Sequence, residues 1–176
     1  MIVEGKNSEP AYFDWLKQKS LIKEDFNLKV EKSTGATSAK NLLSRAERIR
    51  KNNPEAIVCV VLDRDRNSSE ILDALRKWQL QHSAQTRVAI SIPKFEIFLL
   101  MHYMSVDGLN TPEVIDATME KIQPGYKRQK LPKMVGCGIE NVYQAIDAAK
   151  LKKNQLPERN AYDLAVLVEF LIREKV

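Results

Sequence analysis

The hydrophobic positions of this chain follow two periods, and each predicts a different kind of element. Residues 57–62, Ile-Val-Cys-Val-Val-Leu, are an unbroken apolar run in which valine and isoleucine dominate. Such a run predicts a strand buried on both faces, in the middle of a parallel sheet. Val88, Ile90 and Ile92 alternate with their neighbours and predict a further strand, ended by Pro93. Phe26, Leu28 and Val30 alternate with polar residues, so residues 26–32 read as an outer strand. Ile2 and Val3 make a very short apolar start, with Glu4 at its end and Gly5 permitting a sharp turn.

Helical spacings lie between these strands. Ser8 as cap and Pro10 in the first turn open a helix that carries Tyr12, Trp15 and Leu16 on one face. A turn over residues 34–38, with Gly35, leads to Ser38. Ser38 caps a helix whose apolar face is Leu42, Leu43, Ala46 and Ile49, stopped by Asn52-Asn53-Pro54. Ser68 or Ser69 starts another, through Ile71, Leu72, Leu75 and Trp78. Strand and helix thus take turns, with four strands in all. That order predicts a three-layer α/β fold around a mainly parallel four-stranded sheet.

After Pro93 the pattern changes, and no further strand is predicted. Residues 95–104 are apolar nearly all round and read as a buried helix. Thr111-Pro112-Glu113 is a capped helix start running towards Ile122. Residues 125–138 are irregular and basic. Residues 141–151 and 161–173 are amphipathic helices on either side of a loop around Pro157. The expectation is one domain over residues 1–176, with an α/β sheet part at 1–104 and a helical C-terminal extension at 105–176.

Composition narrows the function classes. At 176 residues the chain is long enough to bury a core without staples. Its longest apolar runs, 57–62 and 97–101, are far too short to cross a bilayer. The N-terminus has no secretory pattern, so the expected location is cytoplasmic, with no membrane partner. Cys59 sits inside the buried run and reads as a small core residue. With two cysteines and two histidines in the whole chain, no zinc cluster is expected. The net charge of +5 permits a polyanionic partner without demanding one.

Candidate chemistry gathers at the strand ends. Asp63 and Asp65 follow the 57–62 run two residues apart, where continued strand geometry sends both side chains to the same side. Open α/β sheets place ligands at this edge. Two close carboxylates need a cation, a proton or strong donors. Mg²⁺ would satisfy both, with water and phosphate oxygens completing its shell. The competing account is a loop in which Asp65 caps the next helix and Arg64 or Arg66 neutralises the pair. In a parallel sheet Glu4 opens on the same edge, and three converging carboxylates suit Mg²⁺ or Mn²⁺. Glu96, in Pro93-Lys94-Phe95-Glu96, is costly at the start of an apolar helix unless paired or functional. Interaction with the helix N-terminus is its ordinary alternative, worth roughly half a kcal/mol. Lys94 is solvated by default, and a phosphate or carboxylate partner if it faces the site. His102 reads as a satisfied interior histidine. Trp15 and Trp78 read as core. The Lys127, Arg128, Lys130 and Lys133 cluster is a solvated loop on composition alone; beside an acidic metal site it becomes a grip for a phosphate backbone.

Glu4-Gly5 followed by Asp63-Arg64-Asp65 resembles the Toprim domain of topoisomerases, primases, OLD-family nucleases and recombination proteins. The fuller resemblance is to RloB-like proteins, which are encoded in restriction-modification and abortive-infection loci. Three segments carry it: Val3-Glu4-Gly5-Lys6-Asn7-Ser8-Glu9-Pro10-Ala11-Tyr12-Phe13, Val61-Leu62-Asp63-Arg64-Asp65, and Ser91-Ile92-Pro93-Lys94-Phe95-Glu96-Ile97-Phe98-Leu99-Leu100-Met101-His102-Tyr103. Gly125-Tyr126-Lys127 and Pro157-Glu158-Arg159-Asn160 are similar as well. The resemblance implies a Toprim-like fold with a metal-dependent phosphodiester site. Asp63 and Asp65 would coordinate the metal, and Glu4 would act as ligand or as general acid/base. Lys6, Glu9, Lys94 and Glu96 would line the site.

The leading expectation is therefore a nuclease dependent on Mg²⁺ or Mn²⁺. It would act on DNA or RNA in anti-phage defence, alongside other proteins of the defence locus. Water is the expected nucleophile, since no serine or tyrosine is placed for that role. The short first strand motivates an alternative, a catalytically inactive Toprim-like module that binds nucleic acid or a partner protein. Small-nucleotide chemistry at the same edge ranks last.

Overall fold

The computed structural model describes residues 1–32, 38–64, 67–129, 131–155 and 161–174, without the side chains of Lys127, Arg128, Asn154 and Gln155. Within them, β1 (Ile2–Val3), β2 (Val58–Asp63) and β3 (Thr86–Ser91) form one parallel sheet in the order β1-β2-β3. The register sets Ile2 beside Val60, Val3 beside Val61 and Asp63 beside Ser91. The helices are α1 (Ser8–Gln18), α2 (Ala39–Asn52), α3 (Ser69–Gln81), α4 (Glu96–Met101), α5 (Pro112–Ile122), α6 (Tyr126–Gln129), α7 (Ile139–Gln155) and α8 (Tyr162–Leu171).

Strand periodicity divides the core. Val58, Val60, Leu62, Val88 and Ile90 face α2 and α3, where they meet Leu42, Ala46, Leu75 and Trp78. Cys59, Val61 and Ala89 face the other way, into a larger cluster with Tyr12, Phe13, Phe98, Val142 and, on α8, Leu164 and Val168. Every residue of β2 is buried, as its apolar run predicts. Helices on both faces hide the sheet. The larger cluster joins residues before and after position 105, so the sheet part and the later helices share a core.

The expected strand over residues 26–32 is not formed, and the described sheet has three strands rather than four. That segment runs alongside β1 but pairs through one isolated bridge, Ile2 with Glu31. Glu31 N–H donates to Met1 C=O at 2.8 Å, and Val3 N–H donates to Glu31 C=O at 3.2 Å. The alternation of Phe26, Leu28 and Val30 is real, but it packs these side chains on the large cluster. Two residues of β1 offer too short a ladder to hold a fourth strand. The outer edge of β3 is closed by side chains: Gln79 Oε1 accepts Val88 N–H at 2.9 Å, and Arg76 donates to Val88 C=O at 3.5 Å.

Two helix expectations also change. Ser8 does not cap α1; Asn7 occupies the cap position without a side-chain capping hydrogen bond, and Ser8 is the first helical residue. The buried helix after Pro93 ends at Met101 rather than near residue 104. His102 explains this, because its ring nitrogen Nδ1 lies 2.9 Å from Phe98 C=O, the acceptor its own N–H would use. That N–H turns to Leu99 C=O at 3.2 Å, tightening the last turn. Ser38 and Thr111 do cap α2 and α5, accepting from Asn41 N–H and Val114 N–H. The expected turn at Gly35 and the loop around Pro157 lie outside the described residues.

Candidate active site

Parallel strands deliver Glu4 and Asp63 to the same edge of the sheet. Beyond β1 the chain keeps its ladder for one more residue, Glu4 N–H donating to Val61 C=O at 3.0 Å. The Glu4 side chain then crosses to the neighbouring strand, where Oε2 accepts Asp63 N–H at 3.1 Å. Asn67, at the loop leading to α3, clamps the pair. Its Nδ2 lies 2.7 Å from Asp63 C=O and within 3.3 Å of both Glu4 carboxylate oxygens. Asp63 is itself held from the far side, Oδ1 accepting Phe95 N–H at 2.8 Å. Asp63 is 9% exposed, while Glu4 is half-buried and reaches solvent.

Behind this pair lies a layer of buried charge. Glu9 Oε1 accepts Gly5 N–H at 3.1 Å, and a Cβ on Gly5 would run into the Glu9 carboxylate. A side chain at position 5 would have to displace that carboxylate, and the φ of Gly5 plays no part. Burial pushes the Glu9 carboxyl up to about 7, with the charges of Glu96 and Glu4 adding to the effect. Glu96 Oε1 accepts from Ser8 Oγ at 3.0 Å and from Tyr126 Oη at 2.7 Å, and the two hydroxyls are themselves 2.8 Å apart. Glu96 Oε2 lies 3.4 Å from Lys94 Nζ, which also donates to Asp116 at 2.9 Å. Burial works to lower the Lys94 pKa, but the Glu96 and Asp116 carboxylates outweigh it and the pKa is raised. The Tyr126 hydroxyl is held well above its ordinary range by burial and by the Glu96 charge.

The predicted residues thus separate into two groups. Glu4 and Asp63 meet at the sheet edge. Glu96 and Lys94 meet each other instead, in a buried network with Ser8, Tyr126 and Asp116, which explains how an apolar helix start tolerates a carboxylate. Glu9 bridges the groups through Gly5. Lys6 and Lys133 are exposed. Asp65, Arg66 and Lys130 lie outside the described residues, as do the side chains of Lys127 and Arg128. His102 is buried, near Tyr12 Oη at 3.1 Å and Phe98 C=O, and burial pulls its pKa down to about 4. It is interior, as expected, and so are Trp15 and Trp78.

Sequence reasoning passed over Asn67, and quoted Tyr126 within the Gly125-Tyr126-Lys127 resemblance without giving it a role. Asn67 had a weak signal, a polar amide just past a strand-end aspartate. Tyr126 had none from patterning, since its role depends on a contact 30 residues away along the chain.

Among the described residues no group of three or more His, Cys, Asp or Glu side chains converges as a metal site. Glu4 and Asp63 carry hard carboxylate oxygens, each accepting a backbone N–H. Mg²⁺ commonly takes one or two carboxylates plus water and substrate phosphates, so this donor set fits it. Two open clefts meet at Asn67. One, of about 500 Å³, has Glu4, Lys40 and Glu70 in its walls; the other, of about 530 Å³, has Arg64, Asp73 and Arg76.

A family model described as RloB-like protein matches residues 1–174. No curated protein and no solved structure matches the chain.

Proposed function

The chain belongs to the RloB-like family, and from that premise we propose that it is a metal-dependent phosphodiesterase acting on nucleic acid. One observation carries this reading: at the carboxyl ends of adjacent parallel strands the Glu4 carboxylate accepts the Asp63 N–H, and Glu4 lines an open cleft that meets a second one, walled by Arg64 and Arg76, at Asn67. In this account Glu4 and Asp63, joined by Asp65, hold Mg²⁺ or Mn²⁺. Bound there, the metal supplies a Lewis acid for a phosphoryl oxygen and lowers the pKa of an attacking water. Asn67 fixes the Glu4 carboxylate by donating to it, and the Phe95 amide fixes Asp63. Asn7 Nδ2, at the start of α1, donates to Gln129 C=O at 3.3 Å. In this account Lys127, Arg128, Lys130 and Lys133, on either side of Gln129 in the chain, grip DNA or RNA by its phosphates. The finer reading of the fold is Toprim-like, in one domain spanning 1–176 whose part 105–176 is a helical extension on the sheet part. Defence against foreign nucleic acid in the cytoplasm, with other proteins of such a locus as partners, is the setting that goes with this chemistry.

The test is cleavage of single- and double-stranded DNA and RNA with Mg²⁺ or Mn²⁺. Wild type is expected to cut one of them, and Asp63→Asn to cut it about 100-fold more slowly or worse. Equal cleavage by both proteins sinks the reading. A second reading, a binding module without catalysis, draws on the Glu4 carboxylate, whose oxygens already accept from Asn67 and the Asp63 amide. It predicts salt-sensitive binding that survives EDTA.

A further inference from the structure

The cleft walled by Arg64 and Arg76 shares Asn67 with the Glu4 and Asp63 pair, so whatever lies in it adjoins the candidate site. Its volume of about 530 Å³ is that of a small-ligand pocket. Leu72 and Ile92 give it an apolar floor, and its charged walls are Arg64, Arg76 and Asp73. The two arginines are not alike. Arg76 is engaged by Asp163 and by Val88 C=O, which hold it in place and offset its charge. Arg64 is exposed, and its backbone is pinned by N–H donation to Ser91 C=O at 2.9 Å. Arg45 and Arg50 pair with Glu31 and Glu47, but the Arg64 guanidinium has no carboxylate within salt-bridge distance among the described residues. Asp73, the one acidic residue among the described wall residues, makes no ion pair with it.

We propose that this cleft seats the nucleotide next to the scissile phosphodiester, with Arg64 binding that nucleotide's phosphate. The idea rests on the phosphodiesterase reading and deepens it, because it makes the substrate a strand extending past the cut rather than a mononucleotide. The apolar floor receives sugar or base without reading sequence, and the guanidinium supplies a paired, directional grip on phosphate. The cation is thereby assigned to Arg64, directly after the strand-end aspartate, and not only to residues 127–133.

The experiment is fluorescence anisotropy of a short labelled oligodeoxynucleotide and the matching oligoribonucleotide, with Ca²⁺ present. Proteins are wild type, Arg64→Glu, Arg64→Lys and Lys77→Glu, the last an exposed charge reversal on α3 outside the cleft. Arg64→Glu is expected to weaken binding about 10-fold and to lower the salt slope by about one. Arg64→Lys keeps the charge but loses the paired grip, so its affinity falls between wild type and Arg64→Glu, and Lys77→Glu stays within about twofold of wild type. A nucleoside monophosphate is expected to compete far less well than the strand. Unchanged binding by Arg64→Glu, or equal competition by the monophosphate, overturns the inference while leaving the phosphodiesterase reading in place. Failure of wild type to bind either strand overturns both.

Discussion

Gly5 shows what a single position does at this site. It is not held there by an unusual backbone angle; the Glu9 carboxylate occupies the space that a side chain would need. Gly5→Ala must therefore swing Glu9 away from its backbone partner and deeper into competition with Glu96. The expected cost is about 1–3 kcal/mol in urea denaturation, together with a displaced Glu4. A loss below about 0.5 kcal/mol would show that Glu9 is free to move. The sequence marks Glu4, Gly5 and Asp63 as candidates because strand ends and abrupt charge are local features. It does not reveal that Glu96 is spent on Ser8, Tyr126 and Lys94, since Ser8 and Tyr126 come from distant parts of the chain.

Elements were legible where their own side chains decide them. From the run at 57–62, residues 58–62 entered a fully buried strand while Ile57 stays exposed outside it, and the caps at Ser38 and Thr111 stand where the residue type implied. The failures had tertiary causes. Residues 26–32 alternate like a strand but found only Ile2 to pair with, and Ser8 was drawn off its capping role by a buried carboxylate. The edge of β3 is a third tertiary feature, with Gln79 standing in for a missing strand by accepting Val88 N–H. Gln79→Ala strands that amide at a residue only 5% exposed. The expected destabilisation is about 1–3 kcal/mol by urea denaturation, and a neutral result would mean water reaches the edge.

Across the whole molecule, two buried groups set opposing responses to pH. Glu9 has its pKa raised in the folded state, so the native protein holds its proton more tightly than the unfolded chain. Its contribution is full below about 4.5 and is lost as pH rises towards 7. His102 has its pKa lowered from 6.5 to about 4, so its contribution is full above 6.5 and is lost as pH falls towards 4. Each amounts to something on the order of 3 kcal/mol at full value, and their slopes cancel over much of the shared window. Glu9→Gln is expected to unmask the histidine, giving a stability that rises between pH 4.5 and 6.5, whereas wild type stays nearly flat. Parallel curves for the two proteins would contradict that assignment.

The family and the parallel α/β architecture frame the chemistry, but the proposed function turns on Glu4 and Asp63 holding a divalent metal. Asp63→Asn isolates that point, because the amide oxygen can still accept the Phe95 N–H while the charge is gone. The measurement is calorimetric titration of Mn²⁺ into wild type and Asp63→Asn, with folding checked by circular dichroism. Binding by wild type that weakens at least about 10-fold in the variant is the predicted result. Equal Mn²⁺ affinity in two folded proteins would contradict it and remove the metal from the strand edge.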